Sequence, residues 1–121
     1  MPVRTVTVVS VPVSDQDRAK KFYTQILGFQ LVRDDSSVPG IRWVQVAPAG
    51  GGTALSLVTW FDTMPPGSLR GLVLASSDLD ADYQRLQALG AAFDQAPLEQ
   101  PWAVEAVLCD PDGNQLVLQQ A

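Results

Sequence analysis

Few residues in this chain have the chemistry for binding or catalysis. The three tryptophans are Trp43, Trp60 and Trp102, and two of them stand near carboxylates, as Trp60-Phe61-Asp62 and as Glu99, Trp102 and Glu105. Indole faces beside acidic groups suit a planar or cationic small molecule, held by stacking and cation–π attraction. The plainer alternative is structural, with Trp43 in the core and Trp60 or Trp102 closing the mouth of the fold or a dimer seam. Glu105 lies among apolar neighbours in Val104-Glu105-Ala106-Val107. A carboxylate in such surroundings can serve as a general base or hold a cation. Its plainer alternative is a solvated side chain near a strand start. Arg42 and Arg70 flank strand starts and could bind an anion or pair with Glu105, although arginines so placed more often make surface ion pairs of little energetic weight. Cys109 has no histidine partner, because the chain contains none, and is expected to be buried and inert.

Two apolar helical stripes and a set of short strands must position these groups. Strands are expected at Thr5–Val13, Gln30–Arg33, Arg42–Ala47 and Ala54–Val58, where β-branched residues or alternation recur. Ser14 followed by Asp17 reads as a capping box, and Ala19, Phe22, Tyr23, Ile26 and Leu27 recur at helical spacing before Gly28. The same order then returns. A strand at Arg70–Ala75 precedes Ser77 and Asp80, a second capping box. Tyr83, Leu86 and Leu89 form the stripe before Gly90, and strands follow near Ala91–Gln95, Ala103–Cys109 and Gln115–Gln119. Asp78 follows Asp15, Gly90 follows Gly28 and Gly113 follows Gly50 at offsets of 62 or 63 residues, so one unit occurs twice. The expectation is a single domain of two βαβββ modules, about 4–58 and 70–120, joined by connector 59–69, which contains Met64-Pro65-Pro66-Gly67.

Composition narrows the classes of function. The chain has 121 residues, 46% of them hydrophobic, with a mean hydropathy of +0.08. No apolar run approaches the ~20 residues that span a bilayer, so no membrane partner is expected. A net charge of −5 leaves no basic patch for nucleic acid and mildly favours a neutral or cationic ligand. Met1-Pro2-Val3-Arg4 runs straight into a strand pattern without a signal-peptide layout, and a lone cysteine closes no intrachain disulfide. The expected location is therefore the cytoplasm.

The strand, the Ser-Asp-x-Asp cap, Phe22-Tyr23, Leu27-Gly28-Phe29 and the late Asp110-Pro111-Asp112-Gly113-Asn114 turn together resemble the vicinal oxygen chelate superfamily. That superfamily includes glyoxalase I, extradiol dioxygenases, and fosfomycin- and bleomycin-resistance proteins. The resemblance spans nearly the whole chain. It implies an α+β fold in which two βαβββ modules form an open, cup-like barrel, usually within a homodimer. It also implies four metal-ligand positions, which fall here at Val8, Ser56, Gly71 and Val117. A divalent metal requires about three or four imidazole, carboxylate or thiolate donors, so no metal and no cofactor are expected. If those four positions face the cup, so do Ser10, Ala54, Val58, Val73, Ala75, Gln115 and Gln119. Leu55, Leu57, Leu72, Leu74, Leu116 and Leu118 then pack beneath the helices. Val107 opposite Val117 would bring Glu105 to the cup as well.

Three roles fit this reading. The first is a metal-free binding or resistance protein that is not an enzyme and takes a small, neutral or cationic, partly aromatic molecule. Its expected ligand-binding residues are Trp43, Ser56, Trp60, Trp102 and Glu105. The second is a metal-independent enzyme, an isomerase or proton-transfer catalyst working through Glu105. The third is a structural or interaction protein whose barrel is filled by its own side chains.

Overall fold

The computed structural model describes residues 2–121 and divides into two compact units, one ending at Thr63 and the other beginning at Met64. The first unit runs β1 (Val8–Pro12), α1 (Gln16–Lys21), a π-helical turn (Phe22–Ile26), β2 (Gln30–Asp35), β3 (Trp43–Ala47) and β4 (Ala54–Val58). The second repeats the order as β5 (Leu72–Ser76), α2 (Leu79–Ala88), β6 (Ala92–Glu99), β7 (Val104–Cys109) and β8 (Gln115–Gln120). Each unit holds one mixed four-stranded sheet, ordered β1-β4-β3-β2 and β5-β8-β7-β6, with β1 parallel to β4 and β5 parallel to β8.

Strand alternation sorts each sheet into a helix face and an open face. In the first unit Val11, Val44, Val46 and Leu57 are fully buried, and Leu55 is nearly so. Ala19, Phe22 and Tyr23 of the helical segment are buried as well, and α1 packs on β3 and β4. In the second unit Ala106, Leu108, Leu116 and Leu118 are buried, together with Leu79 and Leu86 of α2. Tyr83 stacks edge-on against Phe93, with ring centroids 4.7 Å apart. Leu89, expected in the apolar stripe, lies exposed at the helix end, and Leu79, which the stripe did not include, is buried.

Both caps sit one residue later than the capping-box reading placed them. Asp15, not Ser14, accepts from the Arg18 N–H, and Asp78, not Ser77, accepts from the Ala81 N–H. An aspartate carboxylate outcompetes a hydroxyl there because it adds charge at the positive end of the helix dipole. Ser14 instead accepts from Arg18 Nη2, at 3.1 Å. The first helix is also not α-helical to its end. Thr24 Oγ1 donates to the Lys20 carbonyl at 2.7 Å, and the next turn widens, with Leu27 N–H reaching Phe22 O. The first strand begins at Val8 rather than Thr5, because β4 offers partners only from Ala54 onward.

The Asp110–Asn114 turn is a lock. Asp110 Oδ1 accepts from the N–H groups of Asp112 and Asn114, and its Oδ2 accepts from Asn114 Nδ2. Asn114 Oδ1 accepts from the Leu69 N–H at 3.0 Å and so ties the turn to the segment entering β5. Gly67, at φ +85°, lies against this turn, where a Cβ would meet the Asp112 carbonyl.

Candidate functional site

The open face of the first sheet carries a polar row and an aromatic row. The register pairs Arg33 with Gln45, Gln45 with Ser56, and Ser56 with Ser10, so these side chains line up across four strands. Asp35 pairs with Trp43, and Val58 pairs with Pro12, in the next row. Beyond the end of β4, Trp60 meets Trp43 edge to face, with centroids 5.2 Å apart, and Phe61 tilts against Trp60 at 6.4 Å. Trp43 is therefore half-buried on the open face and does not fill the core. Trp60 and Phe61 are exposed.

Arg33 is the residue that sequence reasoning missed. Its guanidinium carbon lies 5.2 Å from the centre of the Trp43 ring, and its Nη2 donates to Asp35 at 3.2 Å. The cation–π place over Trp43 is thus already filled by the protein's own cation. Period-two alternation puts Arg33 and Asp35 on one face, but the loop between β2 and β3 hides which residues they meet. Ser56 Oγ is buried and has no hydrogen-bond partner among the described residues. A buried hydroxyl left unbonded costs about 1–3 kcal/mol.

Beside the aromatic row opens a cavity of about 290 Å³, lined by Gln16, Ser36, Val38, Gly40, Ile41, Arg42, Thr59 and Trp60. Gln16 Nε2 donates to the carbonyls of Arg42 and Leu57, both at 2.8 Å, which fixes the orientation of its amide. Arg42 does not serve as a free anion site. It donates from Nε and Nη2 to Asp34, at 2.9 and 3.0 Å, and its Nη1 lies 2.8 Å from Asp17. Lys20 adds a further contact to Asp34 at 2.8 Å. The hydrogen bonds from Arg42 and then Lys20 hold the Asp34 carboxyl well below the usual carboxylate range.

The remaining candidate residues lie in the second unit. Val107 pairs with Val117, the condition under which Glu105 and Gln119 were expected on one face, and Glu105 pairs with Gln119. Glu105 Oε1 accepts from Trp102 Nε1 and its Oε2 accepts from Gln119 Nε2, both at 3.0 Å, so both carboxylate oxygens are engaged. Trp102 is 70% exposed, its ring held outward by that bond. Arg70 donates to the Gly67 and Leu69 carbonyls rather than to Glu105. Cys109 is half-buried, and burial, followed by the neighbouring Asp94 carboxylate, pushes its thiol up.

The four positions that the resemblance gave to metal ligands supply little. Val8 and Val117 are aliphatic, Ser56 offers one hydroxyl, and Gly71 has no side chain. Gly71 also falls outside the strand expected to carry it. Its φ of +82° is left-handed backbone, so β5 starts only at Leu72. Among the described residues no group of three or more His, Cys, Asp or Glu side chains could hold a metal ion. A divalent metal needs about three or four such donors, so the residues present do not fit one.

Similar proteins agree with this fold. The crystal structure of TnmS3, an antibiotic binding protein from Streptomyces sp. CB03234, is 52% identical, covers 99% of this chain and 98% of its own, and superposes with a TM-score of 0.93. A member of the glyoxalase/bleomycin resistance protein/dioxygenase superfamily from Sphaerobacter thermophilus is 33% identical over 100% of both chains, with a TM-score of 0.92. The uncharacterized Bacillus subtilis protein YetH is 30% identical over 98% of this chain and 99% of its own. Residues 5–118 match the family model as well, and the chain belongs to the Glyoxalase/Bleomycin resistance protein/Dioxygenase superfamily.

Proposed function

We infer that this protein is a metal-independent binding protein that sequesters a small, planar, neutral aromatic molecule of the antibiotic type. The observation that carries this reading is the Arg33–Trp43–Trp60–Phe61 cluster on an open sheet face, beside the unbonded hydroxyl of Ser56. Exposed Trp60 and Phe61 offer ring surface for stacking. Neutral ligands are favoured over cations because Arg33 already sits over Trp43, where a ligand cation would compete with it. The 52% identity to an antibiotic binding protein supports the same class of ligand. The protein acts as a homodimer in the cytoplasm on this reading, with Trp102, Leu98 and Val73 supplying exposed apolar surface for a subunit contact. Glu105 is assigned a positioning role toward Trp102, since its oxygens are held by Trp102 and Gln119.

Titration of the tryptophan fluorescence with a panel of planar polycyclic antibiotics tests this. A saturable change is expected, with the compound recovered unchanged by mass spectrometry. Trp60→Ala should weaken binding roughly fivefold to thirtyfold, in line with the loss of an aromatic stacking partner worth about 1–2 kcal/mol. Turnover of lactoylglutathione that depends on Ni²⁺ or Zn²⁺ would overturn the reading.

A further inference from the structure

We propose that the cavity behind Trp60 is a second compartment for a neutral, hydroxyl-rich ring of the sugar type, so that the ligand is a glycoside: a planar aromatic part on the open sheet face and a saccharide in the cavity. The proposal rests on the aromatic binding reading above and adds the chemistry of the appended group.

Three observations converge. The first is the lining. At about 290 Å³ the cavity is small, and it combines one indole wall (Trp60) and two aliphatic side chains (Val38 and Ile41) with the hydroxyls of Ser36 and Thr59. A saccharide has the same mixture, with apolar C–H faces that stack on an aromatic ring and equatorial hydroxyls that both donate and accept. The second is the state of the polar groups. Gln16 makes both its side-chain hydrogen bonds from Nε2, so its Oε1 is left as an acceptor for a ligand hydroxyl. Ser36 and Thr59 make no side-chain hydrogen bond among the described residues. The third is charge. Arg42, the one cation in the lining, is neutralised by Asp34 and Asp17, so the cavity has no unpaired charge with which to attract a phosphate, a carboxylate or an amine. What remains is a neutral site that reads hydroxyls. Trp60 belongs to both compartments, because it lines the cavity and also packs against Trp43 and Phe61. A single molecule bound at both would use it as the shared wall.

Quercetin and quercetin 3-O-glucoside, one planar aglycone with and without a neutral hexose, are the probes. Calorimetry gives the affinities, and ¹H–¹⁵N NMR follows the indole signals of Trp43 and Trp60 together with the backbone amides of residues 36–38, 40–42 and 59. The glucoside is expected to bind at least tenfold tighter than the aglycone. Thr59→Val combined with Ser36→Ala is expected to abolish that preference while leaving aglycone affinity unchanged. Both sites are exposed, so the fold should be unaffected, and the indole signals report this. If the aglycone shifts the indole signals but the glucoside has no advantage, the saccharide compartment is refuted and aromatic binding stands. If methyl glucoside shifts the amides of 36–38, 40–42 and 59 while neither quercetin probe moves the indoles, the compartment stands and aromatic binding falls. Retention of the preference in the double variant, or no response to any probe, overturns the proposal.

Discussion

At the scale of single residues, the main consequence of the structure is that charge and hydrogen bonding are already committed. Arg33 covers Trp43, Arg42 is held by two carboxylates, and Glu105 is held by Trp102 and Gln119. Ser56 differs in that its hydroxyl is both buried and unbonded among the described residues. Ser56→Ala removes that hydroxyl and fills the same volume less one atom. The unliganded variant should therefore be as stable as the parent or up to about 1 kcal/mol more stable by urea denaturation. A loss of more than about 1 kcal/mol would mean the hydroxyl has a partner. Residue chemistry was only partly legible beforehand. The aromatic candidates were visible by type, and so was the poverty of metal donors. Arg33 was not, because its role depends on the residue it faces across a hairpin.

The elements are held by a few capping and turn contacts, of which the aspartate caps recur in both units. The most consequential is the turn at Asp110–Asn114. Its asparagine is fully buried and accepts from the Leu69 N–H, so the start of the second unit is fastened to the β7–β8 connection. Asn114→Ala leaves that N–H without its acceptor and should cost about 2–3 kcal/mol, read as a lower denaturation midpoint at unchanged slope. A cost below about 1 kcal/mol would show the turn to be held by its backbone alone. Element order and the two glycine stops were readable from spacing, since Gly28 and Gly90 both take left-handed backbone. Cap positions and the π-helical turn were not. Each is decided by a competition among neighbouring polar groups for the same backbone atoms, and at Thr24 the competitor is a hydroxyl that bonds the Lys20 carbonyl.

For the whole molecule, acid stability follows from the ion cluster of the first unit. The folded-state pKa of Asp34 lies below its unfolded value, so the unfolded chain binds more protons in acid. The cluster's stabilisation is complete above the ordinary carboxylate range and is lost as pH falls below about 4. Asp34→Asn should cost about 1 kcal/mol near pH 7, a modest figure because the partners are partly solvated, and the difference from the parent should shrink toward pH 2. A gap that stays constant down to pH 2 would assign the effect to packing. The donor poverty at Val8, Ser56, Gly71 and Val117 has its own global signature. Ni²⁺, Zn²⁺, Mn²⁺ or Fe²⁺ should leave Tm unchanged, whereas a metal at 100 times its Kd would add about 2.7 kcal/mol.

The amino-acid sequence alone determined the duplicated βαβββ plan, the family and the absence of histidine, because each of these is written in local period, turn chemistry or composition. Only the tertiary structure decided that Arg33 lies over Trp43, that Trp60 stands between an aromatic row and a cavity, and that Glu105 is tied on both oxygens. Those facts depend on the register of strands and the course of loops. A shift of one residue in either exchanges one face for the other, and no local pattern carries that choice.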